Sequence, residues 1–501
     1  MKQKHIMILG AGSHVGKTTL VAGFCRMFAN QGLRVVPFKS QNMSLNSFVT
    51  FDGKEIARST AVQAFAAKQE PSVHMNPILL KPKNDIESQI IFHGKIYAEA
   101  KAEDYFFCKN WHQKKLDIIQ SSLDTLKNCS ELIIAEGAGS CAEPNFQNND
   151  LVNMGIARLL NADVYLVVDI DKGGIFADIL GTLKVLELTS PENIPLIKGI
   201  FINKFRGSKE ILQPALDFLS NHTHIPIVGI IPYFTDLYLE EEDRIKSYPC
   251  ENPEIDIAIL YLPHISNVSD FNSLAAEKNV RVRFVRSPEC LGCPDLIIIP
   301  GTKSTIWDLN YIRSIGWENK IKEFLSTTPV MGICGGFEML GKHLHDPQQI
   351  ESNLISIEGF GLLNFTTLFK SKKIVKQVSY QPTLYNPFKD CGEILGYEIH
   401  CGTIQYGENV KPLFISNFRK EGAFTSNPFV FGTFIHDIFK NATFTRSVIN
   451  FLREKKGLPK LNVPIVDYKH NVEKQYNTLA AELMKNTILG KTQSISRFDS
   501  Q

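Results

Sequence analysis

MILGAGSHVGKTTLVAGF, residues 7–24, reads as a strand, a glycine-rich turn and a helix in immediate succession. The apolar run from Ile6 to Leu9 stops at Gly10. The turn Gly10-Ala11-Gly12-Ser13-His14-Val15-Gly16 leads into Lys17-Thr18-Thr19, and Val21, Phe24, Cys25 and Phe28 then recur at helical spacing. Small residues let successive backbone N–H groups close around an anion, and the helix start adds its dipole. Lys17 is placed to reach terminal phosphates and the Thr18 hydroxyl to ligate magnesium. Gly12, Gly16, Lys17 and Thr18 are therefore the expected nucleotide contacts. The first glycine of the usual G-x-x-x-x-G-K-[ST] pattern is replaced by Ala11.

Downstream, strands and helices alternate. LRVVPF supplies a second strand that runs into the polar stretch Ser40, Gln41, Asn42, Ser44, Asn46 and Ser47. DGKEIARSTAVQAFAAKQ, from Asp52, is alanine-rich and is expected to be helical. ELIIAEGAGS delivers Glu136 from the end of a core strand into glycines, a recurrent way of holding magnesium or positioning water. DVYLVVDIDKGG ends a further strand at Asp169 and Asp171, and LIKGIFINKF ends one at Asn203-Lys204. This alternation predicts a parallel sheet with helices on both faces, a doubly wound α/β domain spanning residues 1–235. The acidic stretch Glu240–Asp243 and SYPCENPE mark a linker at 236–254. A second α/β pattern then restarts at IDIAILYLPHISN and is expected to run to residue 445. A helical extension around Val472–Met484 and a polar tail, SISRFDSQ, follow over 446–501.

With 501 residues the chain exceeds what one core supports. Its 54 basic and 52 acidic side chains give a net charge of +2, so composition offers no general attraction to nucleic acid or to anionic lipid. No run reaches membrane-spanning length, the N-terminal apolar stretch is too short for a signal peptide, and ten scattered cysteines fit reduced thiols. A cytoplasmic protein is expected, with no nucleic-acid partner and no membrane partner. A homo-oligomer is left open.

The second reactive stretch is PVMGICGGFEMLG. A strand drives into Cys334 and a helix is expected to start at once, with Phe337, Leu340 and Leu344 on one face. Glycines at 332, 335 and 336 allow the sharp turn of a nucleophile elbow. A thiolate nucleophile needs an imidazole. His436, at the end of the strand in FVFGTFIHDIF, is preferred to His400 in GYEIHCGT. The loop Pro300-Gly301-Thr302-Lys303-Ser304 can offer N–H groups to an oxyanion. A phosphate-binding module joined to a thiol hydrolase points to glutamine-dependent amidation. The thiolate releases ammonia from glutamine, and ATP turns a carboxylate into an acyl phosphate that ammonia displaces.

Several blocks, in order, resemble those of the glutamine-hydrolysing cobyric acid synthases: FKSQNMSLNSFVTFDGKEIAR, MNPILLKP, EGAGSCAEPN, DIDKGGIFADILGT, GIFINKFRG, PGTKSTIWDL, GICGGFEMLG, GYEIHCGT and GTFIHDIF. The resemblance covers about residues 5 to 445. It implies a dethiobiotin-synthetase-like P-loop domain followed by a class I glutamine amidotransferase domain. The implied reaction is amidation of the b, d, e and g carboxylates of adenosylcobyrinic acid a,c-diamide, with ATP, Mg2+ and glutamine. By position it implies Cys334 as nucleophile and His436 as base, and Lys17 and Thr18 at phosphate and magnesium. It also implies Glu136 as a second magnesium carboxylate, Asn203 at adenine, and Asp52 at substrate or metal. Where many related glutaminases carry His-x-Glu, His436 is followed by Asp437 and Ile438, so a Cys-His dyad is expected. Thr403, Cys141 and Pro144 also depart from the family pattern. The alternatives are amidation of the a and c carboxylates of a cobyrinic acid, which the QNMSLNS block disfavours, and a non-catalytic P-loop regulatory ATPase, which intact Cys334 and His436 disfavour.

Overall fold

A computed structural model of the chain describes residues 4–83, 86–146, 149–235, 237, 239, 250, 252–417, 419–462 and 468–491. The acidic linker stretch Glu240–Asp243 and the tail SISRFDSQ lie outside these residues. The chain divides into two compact units. One comprises Met1–Ser44, Glu55–Glu242 and His470–Gln501, the other Leu45–Lys54 and Asp243–Lys469.

The first unit is built on a six-stranded parallel sheet. Its spatial order is Ile227–Pro232, Ile197–Phe205, Ala162–Asp169, His5–Gly10, Leu132–Glu136 and Val35–Phe38. The strands are buried almost throughout, as expected where helices cover both faces of a parallel sheet. His5–Gly10 is central, between Ala162–Asp169 and Leu132–Glu136, so the glycine-rich turn opens beside the ends of the strands that carry Glu136 and Asp169. Ligand sites of open α/β sheets form at such strand ends.

Two features between residues 41 and 101 depart from the linear reading. The stretch from Asp52 is not helical at its start. Asp52-Gly53 forms a turn with Gly53 at φ 74°, residues 55–57 are extended, and the helix runs only over Arg58–Ala66. A turn signal outweighs alanine content there. The polar stretch and MNPILLKP also contribute to a separate four-stranded sheet of Gln41–Met43, Ile78–Pro82, Glu87–Phe92 and Lys95–Lys101.

The second unit carries another sheet, in the order Val280–Val285, Ile255–Leu260, Leu296–Ile299, Val330–Ile333, Phe429–Thr433 and Ala423–Ser426, parallel except for the last pair. Residues 355–445 hold, besides short strands, a long antiparallel pair, Phe365–Pro382 with Ile394–Tyr406. The helix after Cys334 is one turn shorter than its apolar spacing predicts. It covers Gly335–Met339, and Leu344 sits in the strand His343–His345. Gly341, just beyond its end, approaches Phe365 closely, whose ring would lie 2.5 Å from an added Cβ.

The end of the chain divides as well. Helix Ala442–Lys455 belongs to the second unit, whereas the helix Tyr468–Asn486 buries Tyr476, Leu479, Ala480 and Leu483 in the core of the first. Gly23 admits it: a Cβ there would meet Leu483 at 2.5 Å and Leu479 at 2.7 Å. The buried Arg26 guanidinium donates to both carboxylate oxygens of Glu473, at 2.8 and 3.0 Å. Among the described residues no helix is long and apolar enough to cross a membrane.

Candidate active sites

In the first unit the turn after Gly10 folds over Lys17. The Lys17 ammonium donates to the carbonyls of Gly12, at 3.0 Å, and Gly139, at 2.9 Å. Gly10 has to be glycine, because a Cβ would come within 2.9 Å of Gly12, Lys17 and Val15 together. Thr18 follows at the helix start and its hydroxyl donates to Glu136 Oε1 at 2.8 Å. The same oxygen takes the Lys39 ammonium at 3.1 Å, and Gln63 Nε2 donates to the other, Oε2, at 2.5 Å. Glu136 and Lys39 are both almost fully buried. Gln63 Oε1 is buried there without a hydrogen-bond partner among the described residues. A hydroxyl, a carboxylate and an acceptor in want of a donor suit a hydrated divalent cation beside a phosphate chain.

Asn203 reaches the same loop: its Nδ2 donates to Val15 O at 2.8 Å, and a side chain at Gly16 would collide with it at 2.2 Å. Lys204, left-handed at φ 61°, donates to Asp169 at 2.6 Å and to His14 O at 3.0 Å. Asp52 is not part of this cluster. It belongs to the second unit, in a turn where its carboxylate accepts from Thr50 at 2.5 Å and pairs with Lys54 at 2.8 Å, contacts that hold it below the usual carboxylate range.

In the second unit the strand Val330–Ile333 ends at Cys334 with φ 51° and ψ −112°, a strained conformation for a non-glycine residue. The flanking glycines permit this through close approach. A Cβ on Gly332 would lie 2.6 Å from Gly336 O, and one on Gly336 would lie 2.0 Å from Ile299 O. Cys334 N donates to Thr433 O at 2.8 Å, which ties the elbow to the strand that leads to His436.

His436 is fully buried, and its Nδ1 lies 2.7 Å from Asp270 Oδ2. A carboxylate only accepts, so Nδ1 carries the proton and Nε2 is left for the sulfur. Asp270 Oδ1 also accepts the Asp437 N–H at 2.9 Å, which fixes the carboxylate. Burial opposes a charge on the ring. The Asp270 carboxylate and the Cys334 thiolate, through charge and hydrogen bonding, outweigh it and hold His436 up at about 10. The dyad expected from sequence thus acquires a third member. Asp270 comes from the short 3-10 helix Val268–Phe271 after the first strand of this sheet, not from the residues following His436. The one signal for it in the sequence is a carboxylate shortly after a core strand end.

His400 has other partners. Its Nδ1 contacts Gly402 O at 2.6 Å, its Nε2 contacts Glu398 at 3.4 Å, and its ring stacks on Phe434 at 3.8 Å. In the loop 300–304, the amides of Lys303 and Ser304 donate to His264 O and Thr302 Oγ1, so its contribution narrows to the residues before them. Gly301 faces the centre: a Cβ there would sit 3.1 Å from His436 Cε1 and 3.6 Å from Cys334 Cβ.

A cysteine at a strained elbow with a carboxylate-held imidazole, in a chain that also carries a phosphate-binding turn, defines a glutamine amidotransferase joined to a nucleotide-using module. Comparison with known proteins agrees. Residues 256–444 match the CobB/CobQ-like glutamine amidotransferase domain, and residues 6–245 match the CobQ/CobB/MinD/ParA nucleotide binding domain. A cobyric acid synthase of Clostridium botulinum (strain Loch Maree / Type A3) is 44% identical over 498 residues, 98% of this chain and 99% of that protein. Those of Clostridium acetobutylicum and Clostridium tetani are 44% and 42% identical, over 93% and 97% of this chain and 94% and 97% of theirs. The chain belongs to the cobyric acid synthase family, and it is a glutamine-hydrolysing ligase.

Proposed function

We propose that the chain amidates the b, d, e and g carboxylates of adenosylcobyrinic acid a,c-diamide to give adenosylcobyric acid. Glutamine supplies the nitrogen and ATP activates each carboxylate. The observation that supports an amidating enzyme is the presence in one chain of both clusters, Lys17-Thr18-Glu136 and Cys334-His436-Asp270, and likeness to cobyric acid synthases supports this choice of carboxylates.

At the second centre the Cys334 thiolate attacks the glutamine amide carbon while the charged His436 Nε2 stands ready to protonate the leaving amine. Ammonia departs and leaves a thioester, and His436, now neutral, takes a proton from the water that releases glutamate. Asp270 keeps Nδ1 protonated and the ring oriented through both half-reactions. The backbone beside Gly301 receives the developing oxyanion.

At the first centre Lys17 exchanges its carbonyl partners for phosphate oxygens. The Asn203 Nδ2 is engaged on Val15, so its Oδ1 would accept the exocyclic amine of adenine. Thr18 and Glu136 would hold Mg2+, which supplies charge neutralisation at the phosphates. Lys39 compensates the Glu136 charge before the cation arrives. Besides ATP, the chemistry calls for the corrinoid acids and glutamine as small-molecule partners, and the reading places the enzyme in the cytoplasm. Asp52 has no assigned role.

The test is a pair of variants assayed with both nitrogen sources. Cys334→Ser is expected to lose glutamine-dependent amidation and keep ammonia-dependent amidation. Lys17→Ala is expected to lose both. Retention of glutamine hydrolysis by Cys334→Ser would refute the nucleophile assignment.

A further inference from the structure

The stretch SLNSFVT, residues 44–50, belongs by sequence to the nucleotide-binding half, yet from Leu45 onward it is packed within the glutaminase unit. Asn46, Ser47, Phe48 and Val49 are all buried there. Two of their contacts reach residues that flank His436. The Ser47 N–H donates to Asn267 Oδ1 at 2.8 Å, and the Ser47 carbonyl accepts the Tyr397 hydroxyl at 2.9 Å.

Both partners lie against the imidazole. The Tyr397 ring stacks on it at 5.2 Å between centroids and 21° between planes, and the two residues exchange backbone hydrogen bonds at 2.9 and 3.3 Å. The Asn267 side-chain nitrogen is 3.3 Å from each ring nitrogen. That this atom is the NH2 and not the oxygen follows from Ser47, whose N–H claims Oδ1. Asn46 braces the arrangement from one residue away: its Oδ1 accepts the Val268 N–H at 3.0 Å, at the start of the turn that carries Asp270. Phe48 adds an edge contact to the Tyr397 ring at 5.9 Å, and Gln377 donates to Val49 O.

We infer that the Asn46 side chain and the Ser47 backbone form a clasp that positions His436 for glutamine hydrolysis, by holding Asn267 and Tyr397 on the imidazole and Asp270 at its Nδ1. The inference rests on the assignment of Cys334 and His436 as the glutaminase pair. These are positioning residues, acting through Asn267, Val268 and Tyr397. The consequence is that ammonia production depends on a segment that starts seven residues after Phe38, the last residue of the second strand of the nucleotide-binding sheet.

Full-length variants separate this from a general packing role. Asn46→Ala removes the acceptor for Val268, Asn46→Asp restores an acceptor oxygen, and Tyr397→Phe keeps the stacked ring while deleting the hydroxyl that holds Ser47. In Asn46→Ala and Tyr397→Phe, kcat for glutamine hydrolysis should fall roughly 10- to 100-fold with KM for glutamine little changed, as expected for a displaced base. Asn46→Asp should recover most of the loss, and ammonia-dependent amidation should stay at the wild-type rate in all three. Unchanged glutamine hydrolysis in Asn46→Ala and Tyr397→Phe would overturn the inference. So would equal losses in Asn46→Ala and Asn46→Asp, or a parallel fall in ammonia-dependent amidation. Cys334→Ser, run alongside, tests the underlying assignment separately.

Discussion

His436 owes its charge to two neighbours of opposite sign, and this makes a stability prediction with a definite direction. Its folded value of about 10 lies above the ordinary 6.5, so the ionic contribution is fully present below 6.5 and is lost as pH rises through 10. Asp270→Asn removes one of the two attractions. The stability difference between wild type and this variant, from urea denaturation at a series of pH values, should be widest near pH 6.5 and close as pH approaches and passes 10. A difference that grows with pH would contradict the assignment. Gly301→Ala is predicted to cost at least 10-fold in kcat/KM for glutamine with the fold intact, because its Cβ would lie 3.1 Å from His436 Cε1 where the amide must sit. Steady-state glutaminase kinetics with circular dichroism check it. Cys334, His436, Lys17, Thr18 and Glu136 could all be named as candidates from local spacing, since each sits at or just after a strand end or, for Lys17 and Thr18, at the helix start that follows the glycine turn. Asp270 could not: 166 positions separate it from His436, and only the fold of the second sheet brings it to Nδ1.

Among the secondary-structure segments, the C-terminal helix Tyr468–Asn486 shows how a stretch with no motif acquires a structural role. Its apolar face fills the space that Gly23 leaves on the phosphate-loop helix, and Glu473 meets the buried Arg26. Glu473→Ala should destabilise the first unit by about 1–3 kcal/mol, toward the lower end because Glu473 is itself partly exposed. Thermal or urea denaturation measures it, and a change within error would show that the pair does not hold the helix. Strands with four or more apolar residues in a row, such as Leu132–Glu136 and Leu296–Ile299, were legible because buried parallel strands leave no alternation to misread. The stretch after Asp52 was less so. Alanine content there indicates helix, while Asp52-Gly53 starts a turn whose partners are set by tertiary contacts. The helix after Cys334 reads too long for a similar reason, since Leu344 keeps helical spacing but pairs in a strand.

Taken as a whole, the chain combines two α/β units whose sequence segments interleave. Residues 45–54 leave the first for the second, and residues 470–501 return to the first. A linear reading finds two domains and their order, because each begins with its own strand-rich pattern. It does not find the exchange, because the segments concerned carry polar loop residues or a helix without a motif. On the proposed function, one chain makes ammonia at Cys334 and consumes it, with ATP, in amidating a corrinoid acid. The most direct measurement is mass spectrometry of adenosylcobyrinic acid a,c-diamide incubated with the full-length protein, magnesium ATP and glutamine carrying an isotopic label on its amide nitrogen. Stepwise conversion of acid groups to labelled amides, with ADP and glutamate released in step, is the predicted result. An unchanged corrinoid in a reaction that nevertheless hydrolyses glutamine and ATP would contradict it.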